Sequence, residues 1–194
     1  MIKADFSRLF CDTERFADDN LEVMSKFGMG VLYERTDAGE LMRIVSKSLR
    51  NKILKDYYWK HHAKLSDAVK SQLDENRKAI ILDCHSFTDK PLMRDLNQEP
   101  NRPDFNLGTD PYHTPKHLID LSVEFFKRKG YSLGIDYPYQ GSLVPLEYYQ
   151  KDDRVQSIML EVNRKLYLRD NSNEKSSTYN GIKKIVQEYI KILS

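Results

Sequence analysis

Four short apolar runs, each bounded by polar residues or turn formers, read as strands: Gly30–Tyr33, Ala79–Asp83, Tyr131–Ile135 and Ser157–Val162. Long amphipathic stretches separate them. Asp37–Lys52 is predicted to be helical. Leu54–Leu73 is a second helix or its continuation, with Leu54, Tyr58, His62, Leu65, Val69 and Leu73 on one stripe at helical spacing. Thr114–Lys129 has the clearest ends: Thr114 is placed to cap, Pro115 suits the first helical position, and Gly130 closes the helix. A last helix runs from about Tyr179 to Leu193, with Ile182, Ile185, Val186, Tyr189 and Ile190 as its apolar face. Strands separated by helices predict an α/β domain with a largely parallel sheet. Two long connections, Ser86–Asp110 and Asp136–Arg154, stand out as functional loops, since sites in such folds gather beyond the carboxyl ends of strands.

The length, 194 residues, suits one α/β domain better than two. A hydrophobic share of 40% with 31% charged residues is an ordinary globular balance and argues against disorder. Lys+Arg 31 against Asp+Glu 29 leaves a net charge of only +2, with the signs interspersed. A nucleic-acid binder would show a basic stripe, and none is present. The two cysteines, Cys11 and Cys84, lie far apart in apolar stretches and read as lone buried thiols of a reducing compartment. With no apolar run of membrane-spanning length and no signal core at the start, the expectation is a soluble, cytoplasmic protein.

Three segments carry candidate chemistry. In Ile80-Ile81-Leu82-Asp83-Cys84-His85-Ser86-Phe87, a strand ends at Asp83 and a histidine follows, placed either as a metal ligand oriented by Asp83 or as an ordinary strand-end hydrogen-bonding group. Glu161 sits inside the apolar strand Ser157–Val162, where a carboxylate is costly to bury. It is either a general base with a raised pKa or half of a structural ion pair with an arginine. Arg8 and Arg15, set among apolar residues in Ser7–Phe16, suit clamping of a carboxylate or oxyanion, against the plain alternative of solvated surface arginines. His61 and His62 lie on or beside the apolar stripe and read as core or edge histidines. His113 and His117 are four apart, but the helix start at Pro115 falls between them, so they do not form a metal pair. The glycine-rich phosphate loop, H-E-x-x-H and paired C-x-x-C signatures are all missing.

Five stretches, in order, resemble the N-formylglutamate amidohydrolase family: the arginine segment Ser7–Phe16, Asp83-Cys84-His85-Ser86-Phe87, Pro103–Asp110, Pro138–Ser142 and Gln156–Tyr167. The resemblance runs from Met1 to about Leu168. It implies a zinc carboxypeptidase-like α/β fold, with a mixed, largely parallel central sheet and flanking helices. It also implies metal-dependent hydrolysis of an N-acyl, typically N-formyl, amino acid. On that likeness His85 is a zinc ligand and Glu161 activates the attacking water. Arg8 polarises the acyl oxygen and Arg15 holds a substrate carboxylate, while Tyr139 and Arg164, in the matching motifs, contact substrate.

The sequence departs from the family pattern in two places. Family members commonly have Asn before the second arginine; here Glu14 stands there and would repel a substrate carboxylate unless Arg15 neutralises it. The family also opens with a strand ending in a Pro-His-Ser type motif and an acidic residue, which supply the other two metal ligands. Met1 begins after them, so the expectation is a single, N-terminally truncated domain with an incomplete zinc site. The alternative function is an inactive relative that binds small carboxylates or a protein partner. Sheet backbone left unpaired by the missing strand would invite homo-oligomers. Partners otherwise expected are the small substrate alone, with no nucleic acid and no membrane.

Overall fold

The computed structural model describes residues 1–193. The chain divides into two compact units, Met1–Ser71 and Gln72–Ser194, with the boundary inside a long helix.

The first unit has little regular structure before its helices. Gly30–Tyr33, predicted to be a strand, is buried irregular chain. Its apolar residues do go inside: Val31 and Leu32 join Cys11, Ile53 and Tyr58 in a small core flanked by Phe6, Phe10 and Val45. No strand pairs with this run, so its backbone is satisfied by other groups. Asp12 N–H donates to Val31 O at 2.8 Å, and Arg43 Nε donates to Tyr33 O at 2.7 Å. Arg43 Nη2 also donates to the carbonyls of Leu9 and Phe10. An arginine with several donors thus does the tying that a ladder would do elsewhere.

Helix α1 covers only Lys47–Ile53 of the stretch predicted from Asp37. Gly39, at φ 86°, closes a turn in which Thr36 and Glu40 pair, and the chain then runs extended to Ser46. Ser46 caps the helix by accepting from Leu49 N–H. A π-helical turn, Leu54–Tyr58, leads directly into α2, Trp59–Asn76. The predicted stripe is the face that packs, with Tyr58, Leu65 and Val69 buried. His62 is an edge histidine whose Nε2 donates to Thr13 O at 2.8 Å.

The second unit is built on a four-stranded sheet: β1, Ala79–Phe87; β2, Phe105–Gly108; β3, Leu133–Ile135; and β4, Val155–Asn163. Its spatial order is β1-β4-β2-β3. β4 runs parallel to β1 and antiparallel to β2, and β2 runs parallel to β3. The sheet is therefore mixed and mostly parallel, as the pattern predicts. β2 lies inside a stretch predicted to be loop, because four residues are too few to show a period. β1 runs four residues further than its apolar core, so His85 stands within the strand and not beyond it. Cys84 is exposed and, like buried Cys11, is a free thiol, which corrects the reading of both cysteines as buried.

Helices α3, Lys116–Arg128, and α4, Tyr179–Leu193, cover one face of the sheet. Ile158, Leu160 and Val162 of β4 meet Leu118, Phe125, Phe126, Ile182 and Tyr189 there. Each such side chain contributes about 1.5–3 kcal/mol when fully buried. Burial raises the Tyr189 hydroxyl to about 12, and that hydroxyl pairs with Ser122 Oγ at 2.7 Å inside the core. α3 starts later than predicted. Pro115 is the residue before the first turn, in extended backbone, and Thr114 does not cap. Its hydroxyl instead donates to Ser157 O at 2.6 Å and accepts from Asp110 N–H at 2.8 Å, tying the preceding turn to β4. Among the described residues no helix is long and apolar enough to cross a membrane.

His113 is fully buried, and both ring nitrogens are engaged. Nδ1 donates to Val155 O at 2.7 Å and Nε2 accepts from Gln150 N–H at 2.8 Å. It is a structural pin at the start of β4. His113→Ala is expected to cost about 3 kcal/mol, from the cavity and the two orphaned backbone groups, measured as a fall in the urea midpoint.

Burial holds His61 and His62 below the ordinary histidine value of 6.5. As pH falls below that value the unfolded chain takes up protons that the folded chain resists. Their contribution to stability is therefore present above 6.5 and lost beneath it. Melting curves at pH 7.5 and 5.5 are expected to show a smaller acid-induced drop for the His61→Gln/His62→Gln double variant than for the parent.

Candidate functional site

The face of the sheet opposite α3 and α4 carries a different set of side chains. Alternation along β4 sends Ser157, Met159, Glu161 and Asn163 to this face, and the register places His85 of β1 directly across from Glu161 on one side and Asn106 of β2 on the other. Asn106 is in turn opposite Gly134. One row across four strands thus reads His85, Glu161, Asn106, Gly134. Glu161, Asn106 and Asn163 are buried, so this is a polar interior surface and not a solvated one.

Asp83 is two residues before His85 and shares its face. Asp83 Oδ1 lies 2.9 Å from His85 Nε2, and both side chains are nearly buried, at 10% and 14% exposure. The other oxygen, Oδ2, accepts from Leu143 N–H at 3.3 Å. Leu143 O accepts in turn from Ser157 Oγ at 2.8 Å. An imidazole nitrogen and a carboxylate oxygen brought together on a rigid strand have the donor chemistry that zinc prefers.

The two long loops are fixed to this face by side chains. Asn106 Oδ1 accepts from Tyr137 N–H and Nδ2 donates to Tyr139 O, so the residue beside Glu161 holds the loop after β3 at two points. The same loop passes so close to the sheet that side chains are excluded beneath it. A Cβ on Gly108 would sit 2.2 Å from Gly141 O, and one on Gly134 would sit 2.1 Å from Tyr137 O. The Tyr139 hydroxyl accepts from Arg102 Nη1 at 3.0 Å and donates to Asp95 Oδ2 at 3.1 Å. Burial, and then the Asp95 charge, raise that hydroxyl to about 12.

Arg102 is wholly enclosed. Besides Tyr139 it donates to Thr88 O, Asn97 O and Asp95 Oδ2, and its guanidinium lies 5.4 Å from the Tyr139 ring centroid. A buried arginine with a carboxylate partner and several carbonyls is a loop organiser. Arg164 is exposed and donates to Ser86 Oγ and Ser86 O, holding the end of β1. Asn106 and Arg102 were not marked by the sequence pattern. Asn106 falls in a strand too short to read, and Arg102 falls in a loop where arginine is ordinarily exposed.

In the first unit, Arg8 and Arg15 come together on one carboxylate. Asp12 Oδ2 accepts from Arg8 Nη2 at 2.7 Å, Arg8 Nε at 3.1 Å and the Tyr33 hydroxyl at 3.0 Å, with Arg15 Nε at 3.6 Å. Asp12 Oδ1 accepts from Glu14 N–H. Arg15 Nη1 donates to Glu22 Oε1 at 3.3 Å, and Glu22 also accepts from the backbone of Phe16 and Met24. Desolvation works against the Arg8 charge, but Asp12 and Tyr33 outweigh it and hold the group above its ordinary value. Burial, then Asp12, raises the Tyr33 hydroxyl. Arg8 is therefore held as a cation, and it still exposes about half of its side chain, 54%.

No curated protein matches the chain. A solved N-formylglutamate amidohydrolase from Ralstonia eutropha superposes with a TM-score of 0.83 at 21% identity, covering 95% of this chain and 72% of that one. A gene product of Agrobacterium tumefaciens gives 0.66 at 16% identity, covering 97% and 69%. At these identities the likeness concerns the fold. The family model described as N-formylglutamate amidohydrolase matches residues 1–168, most of the chain and the whole of both polar clusters, and the protein belongs to that family.

Proposed function

We propose that the protein hydrolyses the amide bond of a small N-acyl amino acid, with N-formylglutamate as the reference substrate and with a bound divalent metal, zinc, as cofactor. The observation that carries this reading is Glu161 itself, a carboxylate buried in the central strand and in register with His85. Burying a carboxylate at the middle of a sheet is costly. A place beside an imidazole–carboxylate pair, in a family of amidohydrolases, gives that cost a use.

Glu161 takes a proton from the attacking water and returns it to the amine nitrogen as the carbon–nitrogen bond breaks, leaving formate and the free amino acid when the acyl group is formyl. Zinc held by His85 would supply polarisation of the acyl carbonyl and acidification of water. Asn106, across the ladder from Glu161, holds the loop after β3 through its two backbone bonds. Arg8 and Arg15, pre-set by Asp12, have the fixed positive charge suited to the acyl oxygen and to a substrate carboxylate.

Glu161→Gln preserves shape and removes the base. It is expected to lower kcat/KM for N-formylglutamate by about 100- to 10,000-fold with an unchanged melting curve. Turnover within a few-fold of the parent would exclude Glu161 as the base. In the same assay Arg15→Met is expected to raise KM for N-formylglutamate more than for an N-formyl amino acid with a neutral side chain.

A further inference from the structure

We propose that the protein pairs with a second copy of itself along the outer edge of β1, joining the two four-stranded sheets into one. β1 is an edge strand of 9 residues, and among the described residues it pairs with β4 alone. Ala79 N–H donates to Arg154 O, so Ala79 and every second residue after it turn their backbone groups toward β4. Ile80, Leu82, Cys84 and Ser86 turn theirs outward. The Ser86 carbonyl is taken by Arg164 Nη2 at 3.3 Å. Among the described residues no backbone group answers Ile80, Leu82 or Cys84 on that side, and Leu82 O has only the weak Cys84 thiol at 3.8 Å.

This edge carries no defence against pairing. Open edges in stable monomers are ordinarily blunted by lysine, proline or a bulge, which stop a second chain from adding on. The open stretch Ile80-Ile81-Leu82-Asp83-Cys84 has no lysine or proline, and its register with β4 runs without a bulge. Ile80 is 37% exposed and Cys84 is exposed, while Leu82 between them packs against the core under α3 and α4.

The partner that fits the edge is the edge itself. The three open residues are symmetric about Leu82. An antiparallel copy related by a two-fold axis at Leu82 sets Leu82 against the partner's Leu82, and Ile80 against the partner's Cys84. Every open donor and acceptor of the three residues is then used on both strands. The exposed side chain of Ile80 and that of the partner's Cys84 become cross-strand neighbours. The adjacent registers are worse. An axis at Asp83 sets two carboxylates face to face, and an axis at Cys84 needs the Ser86 carbonyl that Arg164 already holds. The new ladder lies in the plane of the sheet, so it leaves the row of His85 and Glu161 unchanged and is independent of the hydrolase reading.

Light scattering on the full chain is the first test. The mass is expected to rise with concentration from 22.8 kDa toward twice that value. A chain that stays monomeric up to sub-millimolar concentration would overturn the inference. Ile80→Pro removes an N–H that makes no bond within the chain. It is expected to weaken the dimer about 10-fold or more, with the monomer's melting curve little changed; a dimer as tight as the parent's would count against pairing at this edge. Cysteines then read the register. The Cα atoms of a hydrogen-bonded antiparallel pair lie about 5.5 Å apart, within disulfide reach. The Ile80→Cys protein treated with diamide is expected to form a covalent dimer, lost on adding Cys84→Ser. In the parent, Cys84 and the partner's Cys84 are more than about 13 Å apart on this register, so no crosslink between them is expected. A crosslink through Cys84 in the parent, or its absence in the Ile80→Cys protein, would contradict the pairing.

Discussion

β4 hydrogen-bonds on both of its edges, in parallel to β1 and antiparallel to β2, and the rest of the second unit follows from that double pairing. A central strand cannot shift register by one residue without exchanging its two faces. Here the faces are sharply different. Ile158, Leu160 and Val162 enter an apolar core under α3 and α4, while Met159, Glu161 and Asn163 enter a polar layer. The helices that bury one face thus fix, with no contact to it, the row in which Glu161 meets His85.

The polar layer is completed by loops that have no regular structure of their own. Backbone groups in such loops need partners when buried, and Asn106, Asn163 and Arg102 provide them. Asn163 Nδ2 reaches both Asp89 Oδ1 and Pro103 O, joining the two ends of the loop between β1 and β2. Arg102 gathers the middle of that loop and reaches across to Tyr139. Gly108 and Gly134 admit the second loop by the absence of a side chain. The result is a loop after β3 pinned at Tyr137, Tyr139 and Leu143. Its prolines and glycine define a path; the hydrogen bonds hold it there.

The first unit solves the same physical problem by charge. Arg43, Arg50 and Tyr58 donate to carbonyls of an irregular chain, and Asp12 and Glu22 balance Arg8 and Arg15. A buried carboxylate with several donors is tolerable where a lone one is not. Because Asp12 accepts from both Arg8 and Tyr33 on a single oxygen, the arginine is restrained before any ligand arrives. Restraint of this kind is what a residue needs if it is to bind an anion without first losing side-chain entropy.

The sequence by itself determined the α/β class, the ends of α4, the apolar stripe of α2 and the family, because each rests on local pattern or on motif order. It marked His85 and Glu161 as unusual, since a polar residue in an apolar run violates the local rule. It left open whether they were ligand and base or merely hydrogen-bonded groups. Only the tertiary structure decided that they are in register on one face, because strand pairing joins residues 76 positions apart and leaves no local trace. The same reason hid β2, which is held as a strand by its neighbours and not by its own period. It hid the irregular path of Gly30–Tyr33 as well, where the apolar residues go inside and no partner strand lies alongside to make them a sheet.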